Sequence, residues 1–199
     1  MLRRLGILIV ILGMALNWTT PTADAQAGDA SDSSEYLIKA GFIYNFAKFV
    51  EWPSAAFSQA DSPIVIGVLG TDPFGNMLDR IVEDKKIGTR GFAVKRFKWG
   101  KDLNLKDLKD CKILFISASE KAHIDEIVQS VKGLPILTVG ETPGFAERGG
   151  VIRFTLEDNR VRFEVNVDAA HQADLNISSR LLTLAKIIPQ AAASGRNPG

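Results

Sequence analysis

A helix near the start of the chain is the most distinctive feature of its hydrophobic pattern. Residues 36–53 have helical length but no continuous polar face, and the proline at position 53 ends the segment. The apolar residues fall on two stripes at helical spacing, the first Ile38, Phe42, Phe46 and Phe49 and the second Ala40, Ile43, Ala47 and Val50. A surface helix needs only one such stripe. The other is therefore either buried by the same chain or offered to another protein.

Strands and helices alternate through the middle of the chain. Strand patterns occupy residues 63–70, 91–99, 112–117 and 136–140, and helical patterns lie between them at 73–83, 103–109 and 121–132. This alternation is typical of βαβ units and predicts a mostly parallel sheet of about four strands. Because the run at 63–70 is apolar throughout, we expect helices on both faces of the sheet.

The pattern changes after Gly150. Residues 151–157 and 160–167 alternate apolar and polar with only Asp158 and Asn159 between them, which predicts an antiparallel hairpin with a two-residue turn. That turn length sets the register. The predicted pairs are Glu157 with Arg160, Thr155 with Arg162, Arg153 with Glu164, Ile152 with Val165, Phe154 with Phe163 and Leu156 with Val161. A last helix is expected at 169–188, where Pro189 stops it.

These elements predict a single α/β domain over residues 35–188. The chain before it begins with basic residues, continues with an apolar run at 5–16 and reaches small residues at 23–27. This is the pattern of a secretory signal peptide over residues 1–25, cleaved after Ala25 or Ala27, with an uncleaved membrane anchor as the alternative. We expect residues 26–34 to be a disordered leader and 189–199 a flexible tail.

Charge argues against nucleic-acid binding, and the cysteine content limits which disulfides are possible. The chain has 24 Lys and Arg against 23 Asp and Glu, and the cleaved chain loses Arg3, Arg4 and Asp24, so its formal charge is zero. A neutral chain has no electrostatic reason to bind nucleic acid, and the basic stretch at 95–101 is interpreted as the wet face of a strand. The single cysteine, Cys111, is either a buried small hydrophobe or half of an intermolecular disulfide.

The sequence contains few candidates for catalytic residues. Neither His123 nor His171 belongs to a recognisable metal or nucleophile motif, and the pair of Asp168 and His171 is typical of a helix start, with a metal site as the alternative. No catalytic residue, metal or cofactor is therefore expected. A ligand would fit the loops that follow the parallel strands, where free N–H groups bind anions, although ordinary turns need the same residues. The candidate loop residues are Gly70, Thr71, Asp72, Ser117, Ser119, Gly140 and Glu141.

Several segments together resemble the YfiR family. They are KAGFIYNFAKFVEWP, IVIGVLGTDPFG, CKILFIS, GGVIRF and NISSRLL, spread over nearly the whole chain after the signal peptide. The resemblance implies a periplasmic regulator that is not an enzyme and holds an inner-membrane diguanylate cyclase of the YfiN type inactive, lowering cyclic di-GMP and biofilm formation. It also implies an outer-membrane lipoprotein partner of the YfiB type and a homodimer. Well-known members of the family carry cysteine pairs, whereas this chain has Cys111 alone.

Two functions follow from these observations. The first is a periplasmic repressor that acts by protein contact through an exposed stripe of its first helix, with Ile38, Phe42, Phe46, Phe49 and Trp52 as the partner-binding or dimer residues. The alternative is a periplasmic receptor for a small molecule or anion, bound by the loops after the parallel strands.

Overall fold

The first helix, α1, extends further than its apolar stripes. The computed structural model describes residues 24–189, with side chains from residue 33 onward, so most of the predicted signal peptide and the tail from 190 lie outside the described residues. Helix α1 spans Asp24–Phe49 and includes residues 26–34, which the sequence predicts to be disordered. Gly28 and the Asp and Ser residues of this segment are weak helix formers, but extending an existing helix costs little per residue.

A mostly parallel sheet forms the centre of the domain. Its strands are β2 (Ile64–Leu69), β3 (Phe92–Phe97), β4 (Cys111–Ile116), β5 (Leu137–Gly140), β6 (Ile152–Glu157), β7 (Arg160–Val165) and β9 (Lys186–Ile187). They lie in the order β3-β2-β4-β5-β6-β7-β9, and every pair is parallel except β6 with β7. The predicted α/β fold is confirmed, and β9 adds a strand that the sequence pattern does not reveal. Strands β1 (Val50–Glu51) and β8 (Asn176–Ile177) form a separate antiparallel pair.

Helices cover both faces of the sheet, as predicted. The other helices are α2 (Met77–Val82), α3 (Leu105–Lys109), α4 (Ile124–Ser130), α5 (Val167–Gln172) and α6 (Ser179–Leu182). Buried residues of α1, α2, α5 and α6 belong to one hydrophobic core, and those of α3 and α4 belong to a second core on the other face. The middle helices begin two to four residues later than predicted, and a 3-10 turn at Ala118–Glu120 precedes α4.

The predicted hairpin is confirmed pair by pair. All six predicted partners face each other, from Glu157 with Arg160 to Ile152 with Val165. Asp158 and Asn159 adopt φ values of 50° and 56°, as a two-residue turn of type I′ requires. The alternation is therefore sufficient to determine both the turn and which side chains face α1.

The predicted long C-terminal helix at 169–188 is wrong. The chain forms α5, then β8, then α6 and finally β9. Asp174 has a left-handed φ of 54°, which ends α5, and Ile177 pairs with Val50 in a strand contact that a local pattern does not contain. Helix α5 is capped by Asn166, whose side chain accepts a hydrogen bond from the amide of Ala169, and Asp168 lies in its first turn.

Cys111 is a buried core residue. Its side chain is inaccessible and makes no disulfide, and burial raises the pKa of its thiol to about 12. The thiol therefore behaves as the small hydrophobe that the sequence suggests, and a cysteine of another molecule cannot reach it to form a disulfide.

The first prediction separates two residues of the same sequence stripe. Phe46 is fully buried, so Phe46→Ala should lower the free energy of unfolding by about 3–5 kcal/mol in urea denaturation. Ile38 lies on the same helix but is 48% exposed, and Ile38→Ala should change it by no more than about 0.5 kcal/mol. Equal losses for the two variants would show that the helix packs in another rotation.

Candidate functional site

The buried line of α1 runs across both stripes predicted from the sequence. Lys39, Ile43, Phe46 and Val50 recur at helical spacing and are all buried. Phe46 is 0% exposed because its ring lies 5.7 Å from that of Phe154 and 5.2 Å from that of Phe163, on the hairpin. The expectation that Phe46 is exposed to a partner is therefore wrong. The two stripes are neighbours on the helix, and a sheet face is wide enough to cover parts of both.

The other residues of the predicted contact stripe differ in exposure. Phe42 and Phe49 are half-buried and pack against the core, whereas Ile38 projects into solvent. Trp52 is also half-buried, and its Nε1 donates a hydrogen bond to the backbone oxygen of Lys112 at 3.1 Å. Trp52 thus joins the end of the first helix to the sheet, and its exposed area is small. Of the predicted contact residues, Ile38 and the outer side of Phe42 are exposed enough to contact a partner.

Two exposed apolar residues of the sheet share the face on which α1 lies. Phe42 contacts Phe154 and Phe163, with ring centroids 6.1 and 5.5 Å apart. Leu156 follows Phe154 on the same side of β6 and is 54% exposed, while Ile187 pairs with Val165 on that side and is 50% exposed. We call Ile38, Phe42, Leu156 and Ile187 the α1 surface. The sequence pattern does not reveal Leu156 and Ile187 as exposed, because their exposure depends on how much of this sheet face α1 covers.

The predicted ligand loops meet at the other functional candidate, the rim of the parallel sheet. Strand β3 lies on one side of β2 and the next strand, β4, lies on the other. The strand order therefore reverses at β2, and open α/β sheets bind ligands beside the carboxyl ends of the strands at such a point. The amide of Thr71 donates to Oγ of Ser119 at 3.0 Å, so the loops after β2 and β4 are in contact. A Cβ on Gly70 would lie 2.4 Å from that same oxygen, and only glycine fits there. At the end of β5, Gly140 leaves similar room for the ring of Phe145.

A buried ion cluster fills the space between this rim and α1. Glu141 accepts hydrogen bonds from Nζ of Lys39 at 2.6 Å and from the hydroxyl of Tyr36 at 3.2 Å. The amide of Ala118 donates to the same carboxylate at 3.4 Å. Lys39 is 5% exposed and also pairs with Glu35 one turn earlier in the helix. Glu141 therefore attaches the start of the core part of α1 to the carboxyl ends of the strands.

Sequence analysis missed the partners of this cluster. Glu141 is one of the candidate loop residues, but a lysine such as Lys39 is ordinarily expected to face water. Its position in the sequence does indicate burial, because Lys39 lies four residues before Ile43 and therefore on the same buried line of α1. A lysine on a buried line needs a carboxylate partner.

The charged and polar groups of the rim are mostly occupied by one another. The amide of Gly70 donates to the carbonyl of Phe97, and that of Ser119 to Oγ of Ser117. Asp72 accepts from the amide of Phe74 and from Nε of Arg96, both at 2.7 Å. A hydrogen bond from Arg96 also lowers the pKa of Asp79, and Asp79 and Asp72 together raise the pKa of the guanidinium. These contacts leave little for an anion to bind.

Among the side chains of residues 33–189, no group of three or more His, Cys, Asp or Glu is arranged to hold a metal ion. No helix in the same part of the chain combines the length and apolar character that crossing a bilayer requires.

Removing the charge of Glu141 tests whether its cluster holds α1 on the sheet. Glu141→Gln replaces one carboxylate partner of the buried Lys39 by an amide and leaves Glu35 as its remaining charged partner, so the free energy of unfolding should fall by about 1.5–3 kcal/mol. The matched control is Asp125→Asn, since Asp125 pairs with Arg148 at the exposed surface, where the loss should be at most about 1 kcal/mol. Urea denaturation measures both, and equal effects would contradict a structural role of the cluster.

Comparison with known proteins bears out the resemblance. A family model described as YfiR/HmsC-like matches residues 36–186, from the start of the core part of α1 to β9. A search of curated proteins finds no match. The family is a regulatory one, periplasmic in general and associated with diguanylate cyclases, and it is not known as a catalytic family. Because the match covers well over half of the sequence, the chain belongs to the YfiR/HmsC-like family.

Proposed function

We propose that this protein is a soluble periplasmic repressor that binds an inner-membrane diguanylate cyclase of the YfiN type and holds it inactive. Its action lowers cyclic di-GMP and restrains biofilm formation. The observation that carries this proposal is the family match over residues 36–186, which includes the whole core part of α1. Export follows from the signal peptide predicted at 1–25, with cleavage after Ala25 or Ala27.

The α1 surface is the contact that we assign to this function. Ile38, Leu156 and Ile187 are each about half exposed, and Phe42 is half-buried. Burying a large apolar side chain completely contributes about 1.5–3 kcal/mol, so these residues favour association by several kcal/mol before its entropic cost. Phe46 packs under this surface against the hairpin, while Phe49 and Trp52 pack the C-terminal end of α1 and the residues after it against the core.

Two further partners belong to the same proposal. An outer-membrane lipoprotein of the YfiB type would draw the repressor away from the cyclase, and a second copy of the chain would form a homodimer. Competition between partners requires that they share a surface, and the α1 surface contains exposed apolar area on the helix that the family match includes. The receptor alternative gains no support from the rim, whose loop amides bond to neighbouring groups of the protein.

The experiment places a charge in the α1 surface. Ile38→Glu should leave the melting temperature nearly unchanged, because the side chain is half exposed, but weaken capture of the cyclase's periplasmic domain at least about tenfold. The control is Leu105→Glu, at an exposed apolar position on α3 beneath the other face of the sheet. Binding is measured with purified proteins, and cyclic di-GMP is measured in cells carrying each variant.

The expected cellular result is high cyclic di-GMP with Ile38→Glu and low cyclic di-GMP with Leu105→Glu. If the two variants captured the cyclase equally well, the α1 surface would not be the contact. If the wild-type protein failed to bind the cyclase at all, the repressor proposal itself would be wrong.

A further inference from the structure

The charge of this chain is strongly segregated although its total is near zero. Residues 85–112 contain ten Lys and Arg but only three Asp and Glu, a net charge of +7. Since the chain from residue 26 onward has 22 of each sign, the remainder of it carries −7. The basic segment comprises β3, α3 and the turns on either side of them. Asp79, Glu83 and Asp84 lie beside Phe92 and Val94 at the start of this edge, so the unbalanced positive charge lies mainly after β3 and on α3. A charge excess of this kind attracts a partner of opposite charge.

The fold places the basic segment at one edge of the sheet. Strand β3 is the outermost strand on this side and pairs with β2 alone. Two lysines precede it and two follow it closely, and two more lie on α3. All six are exposed and have no ion-pair partner among residues 33–189: Lys85, Lys86, Lys98, Lys101, Lys106 and Lys109. By contrast, Lys95 and Arg96 on the strand itself already pair with Asp110, Asp72 and Asp79.

The backbone of β3 has an open side. The carbonyls of Gly91 and Phe97 accept hydrogen bonds from the amides of Ile64 and Gly70, each at 2.9 Å. Backbone groups alternate along a strand, so the odd-numbered residues of this stretch face β2. Phe92, Val94 and Arg96 therefore direct their N–H and C=O groups outward, where β3 has no neighbouring strand in the described chain.

We propose that the open edge of β3 receives an extended, acidic segment of another protein as an added strand. The outward N–H and C=O groups of Phe92, Val94 and Arg96 supply its register, and the lysines at both ends of the strand select for carboxylates. The edge spans about 20 Å at roughly 3.3 Å per residue, which a segment of about six residues covers. The proposal concerns the opposite end of the sheet from β9 and does not depend on the α1 surface.

The lysines also decide against other occupants. Pairing of two copies through this edge would bring the same cluster of positive charges together, which disfavours self-association and is the usual protection of an exposed edge. An anionic membrane would attract the lysines but would leave the outward backbone groups of β3 without strand partners. An acidic strand satisfies the charges and the backbone together.

The test uses a short acetylated peptide of alternating glutamate and valine with the purified mature protein. Amide hydrogen exchange, followed by NMR, should slow at Phe92, Val94 and Arg96 and stay unchanged at Ala93 and Lys95, because only the even-numbered amides face the added strand. The same peptide methylated at every internal amide should lose this protection and most of its affinity, since it has no N–H groups to donate.

Charge variants supply the second arm. Replacing Lys98 and Lys101 together by Glu should weaken binding of the peptide by about tenfold or more, because the carboxylates would then meet negative charge. The matched control replaces Lys121 and Lys132, two exposed lysines around α4, and should change affinity by less than about twofold.

Four results would overturn the proposal. They are equal binding of the methylated peptide, equal loss of affinity in the control variant, binding to phosphatidylglycerol vesicles without binding to the peptide, and no binding of the peptide at all. Slower exchange at the three even-numbered amides, lost in the variant with Lys98 and Lys101 replaced, would support it.

Discussion

The packing of α1 on the β6–β7 hairpin is the contact on which the rest of the structure depends. Phe46 lies against Phe154 and Phe163 and is sealed from solvent. This one anchor sets the rotation of the helix about its own axis. With Phe46 facing inward, Lys39 reaches Glu141 at the rim and Ile38 points away from the core. Turning the helix by a third of a turn would bury Ile38 and expose the core residue Ile43.

The same rotation connects the fold with the proposed function. A helix whose inner side is fixed by aromatic rings and a buried ion cluster presents its outer side without adjustment, which lowers the entropic cost of binding. Glu141 holds the beginning of the core part of α1, and the antiparallel pair of Val50 with Ile177 holds its end. The outer residues between these two attachments are therefore preorganised for contact.

Sequence reasoning succeeded where structure is set by local rules. The two-residue turn at Asp158 and Asn159 allows one register, and all six predicted hairpin pairs occur. The buried strand that begins at Ile64 is apolar throughout because helices cover both of its faces. In these cases the neighbouring residues contain the information that the fold uses.

Reasoning failed where distant parts of the chain decide. The pairing of Ile177 with Val50 breaks what looks like one C-terminal helix, and nothing near Ile177 indicates it. Likewise, Phe46 appeared to belong to an exposed stripe, because the rings that cover it come from more than a hundred residues later. The role of Glu141 was only partly visible, since its partner Lys39 looks like a solvent residue until the buried line of the helix is known.

The central claim is that α1 has one side for the core and one for a partner. Hydroxyl-radical labelling of side chains, with and without the periplasmic domain of the cyclase, measures both sides at once. The account predicts labelling of Ile38 and Leu156 in the free protein, loss of that labelling in the complex, and no labelling of Phe46 in either state. Labelling of Phe46 in the free protein, or unchanged labelling of Ile38 in the complex, would contradict it.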